Sequence, residues 1–133
     1  MNSNQIRLFN KMKDLIRNNK RRFMVRNDRS ILKDLFDLDL TEEKAWNIIC
    51  NLNPNNYYVD PRFSHHKSNN NTLTFKWLIN SKMVYIKLEL VVDNDGEETV
   101  CWSFHEDYKW GEMYEVWELW LKGNLCKNIY RGI

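Results

Sequence analysis

The chain has 133 residues, enough for one domain with its own core and too few for two. An apolar fraction of 43%, with 14% aromatic residues and only six Gly and Pro together, excludes bulk disorder and collagen-like or linker-like architecture. The net charge of +2 hides an asymmetry, since residues 1–35 carry +7 and the remainder −5.

In chain order, Ser3 is the expected cap of a first amphipathic helix. Its stripe is Leu8, Met12, Leu15 and Ile16, and it ends near Asn18-Asn19. Arg22 to Val25 reads as a short extended piece. A second helix carries Ile31, Leu32, Leu35 and Phe36, with Asn27 or Asp28 as its cap. Thr41, followed by Glu42 and Glu43, opens a third helix with Ala45, Ile48, Ile49 and Leu52 on its inner face, and Asn53-Pro54 stops it. The period then changes. Tyr57-Tyr58-Val59 reads as a short strand, and the polar loop PRFSHHKSNNNT follows over residues 61–72.

Thr72 to Ile79 alternates Leu73, Phe75 and Trp77 against Thr74, Lys76 and Leu78. Asn80-Ser81 turns the chain. Val84, Ile86, Leu88 and Leu90 then alternate with Tyr85, Lys87, Glu89 and Val91, and Asp93-Asn94-Asp95-Gly96 is a hairpin turn before a return strand from Thr99 to His105. A last amphipathic helix presents Met113, Val116, Trp117, Trp120 and Leu121, with Gly123 as its stop. The order predicts an α+β fold: N-terminal helices packed on a small antiparallel sheet. One domain is expected over 1–133, with a core over 1–110 and a helical extension over 111–133. No stretch approaches 18 consecutive apolar residues, so no membrane partner is expected. The N-terminal residues lack an apolar stretch followed by small residues, so the expected compartment is the cytoplasm.

Cys50, Cys101 and Cys126 are odd in number and never form a CxxC pair, which reads as reduced thiols acting as small hydrophobes. No phosphate-binding Gly-rich loop and no HExxH is present. The adjacent His65 and His66 cannot easily face one ion, and DNDGEE at 93–98 lacks the spacing of a calcium loop. No metal and no other cofactor is therefore expected. The basic block, with KRR at 20–22 between elements, reads as a phosphate-binding footprint.

The central hairpin carries the more telling pattern. Tyr85 and Lys87 share one face of their strand, and Lys76 lies opposite Phe75 and Trp77 on its own. The face that His105 joins depends on register, which sequence leaves open. A Tyr, two Lys and a His can thus converge beside the basic loop with Arg62, His65, His66 and Lys67. Such a set suffices for metal-free RNA cleavage: one group takes the 2′-hydroxyl proton, another protonates the leaving 5′-oxygen, and a cation stabilises the phosphorane. Histidine exchanges protons near neutral pH and suits either transfer.

These residues resemble a known family. The run RSILKDLFDLDLTEEKAWNIICNL (29–52), the pair Tyr57-Tyr58, a loop, VYIKLEL (84–90) and VCWSFHED (100–107) are similar, in order and element length, to the MqsR group of bacterial toxins. Those toxins belong to the RelE-like endoribonuclease superfamily. The likeness spans roughly residues 5–107. It implies a RelE-like α+β fold, metal-independent cleavage of mRNA, and silencing by a cognate protein antitoxin. The family's strand tyrosine falls on Tyr85, its basic residue before the first hairpin strand on Lys76, and the Lys ending its last strand on His105. Its Lys after the paired aromatics falls on Val59 and its loop Gln on Thr72, two departures from the pattern.

The expected function is therefore an mRNA-cleaving toxin with mRNA, an antitoxin and, where cleavage depends on translation, the ribosome as partners. His105 would act as general acid or base, Tyr85 would orient or relay a proton, and Lys76 and Lys87 would hold the phosphate. Arg21, Arg22 and Arg26 would extend the RNA track. The rival expectation is a non-catalytic RNA- or protein-binding module, favoured by Val59, Thr72 and the added Trp-rich helix.

Overall fold

A computed structural model describes residues 1–25, 30–58 and 71–107. Helix α1 (Ser3–Arg17) is followed by strand β1 (Arg21–Phe23), helices α2 (Ile31–Asp37) and α3 (Glu42–Cys50), a 3-10 turn at Pro54–Asn56, and strands β2 (Thr72–Ile79), β3 (Lys82–Asp93) and β4 (Gly96–Glu106). The sheet order is β1-β4-β3-β2. Among the described residues, three helices and a four-stranded mixed sheet make an α+β fold.

The helices start where side-chain oxygens meet the otherwise unbonded first amides. Asn2, one residue before the expected Ser3, caps α1 in a reciprocal pair with Gln5. Ser30 caps α2, which corrects the expected cap at Asn27 or Asp28, themselves outside the described residues. Thr41 caps α3 as expected. Pro54 does not end α3 but opens the 3-10 turn beyond it.

The all-antiparallel sheet expected from sequence is also corrected: β1 runs parallel to β4, with Arg21, Arg22 and Phe23 beside Thr99, Val100 and Cys101. Between α1 and α2 the three-residue strand has no hairpin partner, so only tertiary packing sets its direction. Asn19 turns the chain into it at φ 63°. Thr99 Oγ1 then donates to the Met12 carbonyl at 2.9 Å, tying β4 to α1.

One face of the sheet and the helices form the core. Phe9, Met12 and Ile16 of α1, Leu35 of α2 and Trp46 and Ile49 of α3 belong to one buried cluster with Leu73, Phe75, Val84, Ile86, Leu88, Cys101 and Phe104. The Phe9 and Phe75 rings meet at 4.7 Å, and Phe23 stacks on Trp46 at 4.5 Å. The expected alternation of β2 and β3 is thus observed. The second face is not a solvated one, however, since Met83, Tyr85 and Val100 on it are buried as well.

The β2–β3 turn places Asn80 at φ 50° and Ser81 at φ 67°, the left-handed pair that a two-residue hairpin of this hand needs. Glycine at the second position relieves the Cβ crowding at a smaller entropic cost. Ser81→Gly is expected to raise stability by roughly 0.5–1 kcal/mol in urea unfolding. A loss of stability would contradict the turn assignment.

Candidate functional site

The hairpin register settles which polar side chains stand together. Lys76 on β2 lies opposite Tyr85 on β3, and Tyr85 lies opposite His105 on β4, so the three form one cross-strand row on the face away from the helices. The Tyr85 and His105 rings are 5.7 Å apart between centroids and tilted by 31°. Thr74, Lys87 and Ser103 form the next row, about 7 Å along the strands.

A bulge in β4 brings His105 to this face. Lys87 pairs with Ser103 but its neighbour Leu88 pairs with Cys101, leaving Trp102 as the extra residue. Strict alternation would oppose Val100 and His105. With the bulge, Val100, Ser103 and His105 share the Tyr85 face while Cys101 and Phe104 enter the core. Trp102 Nε1 donates to Glu89 Oε1 at 2.8 Å on the row's face.

His105 Nδ1 lies 2.7 Å from the Glu106 carbonyl oxygen. A carbonyl only accepts, so Nδ1 carries a proton in that contact and Nε2 is the unprotonated nitrogen of the neutral ring. The bond also fixes the ring's orientation.

Two side chains not among the expected site residues complete the group. The Lys76 ammonium sits 2.7 Å from Asp107 Oδ2 and 3.9 Å from the centre of the Tyr58 ring. Asp107 Oδ2 is buried, and the contact is an ion pair without hydrogen-bond alignment. Tyr58 is clamped to the β2 edge. Its amide donates to the Thr74 carbonyl at 2.9 Å, the Thr74 hydroxyl donates to the Tyr58 carbonyl, and Tyr57 bridges Phe75. No strand period could have found Asp107, which lies one residue past the end of β4.

Among the described residues, the basic block does not gather here. Helix α1 packs on the opposite face of the sheet, and several of its cations are paired, including Lys11 with Glu97 and Arg17 with Asp14. Arg21 and Arg22, adjacent in β1, project from opposite faces. Arg21 donates to Glu43 and to the Ile16 carbonyl on the helix side. Arg22 shares the row's face but pairs with Glu98 at 2.6 Å, two strands across from Tyr85 and about 13 Å further along the strand direction. A cleft of about 560 Å³ opens beside β1, with Phe23, Ile31 and Trp46 among its lining and Glu42 and Glu43 beside the two arginines. Arg26, Arg62, His65, His66 and Lys67 lie outside the described residues, as do Val59, Cys126 and the expected C-terminal helix.

Cys101 is fully buried and Cys50 half-buried, matching the reading of both as small hydrophobes. Burial pushes the Cys50 thiol above its ordinary pKa despite nearby Arg17, Lys13 and Arg21. It is accordingly a poor nucleophile at neutral pH. Among the described residues, no helix is long and apolar enough to cross a membrane. No protein-family model matches the chain, and no curated protein or solved structure matches it.

Proposed function

We propose that the protein is an mRNA endoribonuclease toxin of a toxin–antitoxin pair, acting at the Lys76–Tyr85–His105 row. The observation that carries this reading is the side-by-side placement of a cation, a phenol and an imidazole on three adjacent strands. In-line cleavage needs those three capacities. The RNA 2′-oxygen forms a bond to the adjacent phosphorus as its proton passes to a base. The bond from phosphorus to the 5′-oxygen breaks as that oxygen takes a proton from an acid. His105 serves as acid or base through Nε2, and the Tyr85 hydroxyl orients the reacting oxygens or relays a proton. The Lys76 ammonium, with Lys87 one row away, stabilises the extra charge on the phosphorane. The products are a 2′,3′-cyclic phosphate and a 5′-hydroxyl.

The resemblance to MqsR-like toxins supports the same reading and adds a protein antitoxin as partner. Induced expression should arrest bacterial growth, and Tyr85→Phe, which keeps the ring and loses the hydroxyl, should relieve the arrest at equal protein level. Normal growth with the wild-type chain would sink the toxin reading.

A second reading, a non-catalytic binding module, has its own support. Tyr85 is only 6% exposed, which limits access to its hydroxyl. Phe36 and Leu32, one helical turn apart on α2, are 81% and 55% exposed, and Val25 is 88% exposed. Such apolar side chains in one region mark a docking surface in many soluble proteins. Binding without cleavage, lost on Phe36→Ser but not on Tyr85→Phe, would favour this reading.

A further inference from the structure

We propose that Asp107 is a positioning residue, whose carboxylate holds the Lys76 ammonium charged and fixed beside Tyr85 and His105. The inference rests on the reading of that row as an RNA-cleaving site. Asp107 lies just past β4, where its amide donates to the Met83 carbonyl at 2.8 Å. From there its carboxylate reaches across the sheet to β2 and meets the ammonium at 2.7 Å. The Tyr58 ring closes the other side at 3.9 Å, and Tyr58 is itself pinned by Thr74. A flexible four-carbon side chain is thus bounded by a carboxylate and a ring face.

Stability alone is a poor reason for this pair. The Lys76 and Asp107 side chains are 15% and 8% exposed, so both charges have left most of their water. Desolvation cancels much of what such pairs gain, and apolar residues of like volume commonly do as well. The same face already buries Met83, Tyr85 and Val100 and would accept an apolar pair. What an apolar pair cannot supply is a positive charge at a set point in the row, prepared before substrate arrives.

Among the described residues, the titratable groups around the ammonium are Asp107 from the end of β4, Tyr58 before β2, and Tyr85 opposite it in its own row, with His105 one strand further along that row. Asp107 is the carboxylate of that set and the ammonium's ion-pair partner in it. Without it, a shielded ammonium gives up its proton more readily, and Lys76 is lost as a cation when pH rises.

The test is single-turnover cleavage of a labelled RNA between pH 5 and 9. It compares the wild type, Asp107→Asn, Lys76→Gln and the double variant, at a temperature where circular dichroism shows all four folded. Asp107→Asn is expected to cut ~10-fold or more slowly at neutral pH, with a new decline on the alkaline side. The double variant is expected to match Lys76→Gln, since Asp107 acts through that ammonium. A wild type that cuts while Asp107→Asn keeps its rate and pH profile overturns the inference alone. So does a double variant whose defects multiply. A wild type that leaves RNA intact overturns the reading of the row, and this inference with it.

Discussion

Replacing His105 by alanine is expected to slow RNA cleavage by about 10²–10⁴-fold and to leave the fold in place. The size follows from removing one positioned proton-transfer group while Lys76 and Tyr85 remain. The fold should survive because His105 is only partly buried and Phe104 and Cys101, not His105, fill the core from β4. Tyr85→Phe is a separate probe, since it keeps the ring that lies against His105 and removes only the hydroxyl. Gel-resolved cleavage, with circular dichroism on the same samples, distinguishes lost chemistry from lost structure. An alanine variant that cuts at the wild-type rate would remove His105 from the mechanism.

Phe75→Ala should cost about 3–5 kcal/mol, the usual range for deleting a fully buried phenylalanine. Phe75 has no exposed surface and stands where α1, β2 and the 3-10 turn meet, touching the rings of Phe9 and Tyr57. Against a typical stability of about 5–15 kcal/mol, that loss is roughly a fifth or more of the total. The expected fall in Tm is roughly 10 °C or more. Val92→Ala, at a side chain 63% exposed near the β3–β4 turn, is the control and should change stability by under about 0.5 kcal/mol. Equal effects from the two substitutions would place the core elsewhere.

Much of this arrangement was legible in the sequence because its signals are local. The alternation from Val84 to Val91 needs only a two-residue period, and Thr41 with two acidic residues behind it needs only a cap and a dipole. Asp93 to Gly96 turns as read, with Gly96 at φ 115° and the Asp93 carboxylate accepting from the Asp95 amide. What was not legible depends on residues far apart. The direction of β1 is set by β4, some 76 residues later along the chain for the ion-paired Arg22 and Glu98.

The bulge at Trp102 is the sharper case. Counting every second residue through VCWSFHE opposes Val100 and His105, and only the pairing with β3 shows that they share a face. Of the row, Tyr85 and Lys76 could be assigned a face from their own strands, whereas His105 could not. Asp107 and Tyr58 lie outside the strands, where no period applies. Their approach to Lys76 comes from the tertiary fold.

We propose that this row cuts RNA by 2′-hydroxyl attack without a metal ion. The most direct measurement incubates the purified protein with a labelled mRNA in EDTA, with and without ribosomes, and maps each cut and its end groups. Discrete cuts bearing a 2′,3′-cyclic phosphate and a 5′-hydroxyl, lost in Tyr85→Phe and His105→Ala, are the predicted result. RNA that stays intact in both conditions would contradict the claim and turn attention to the exposed apolar surface of α2.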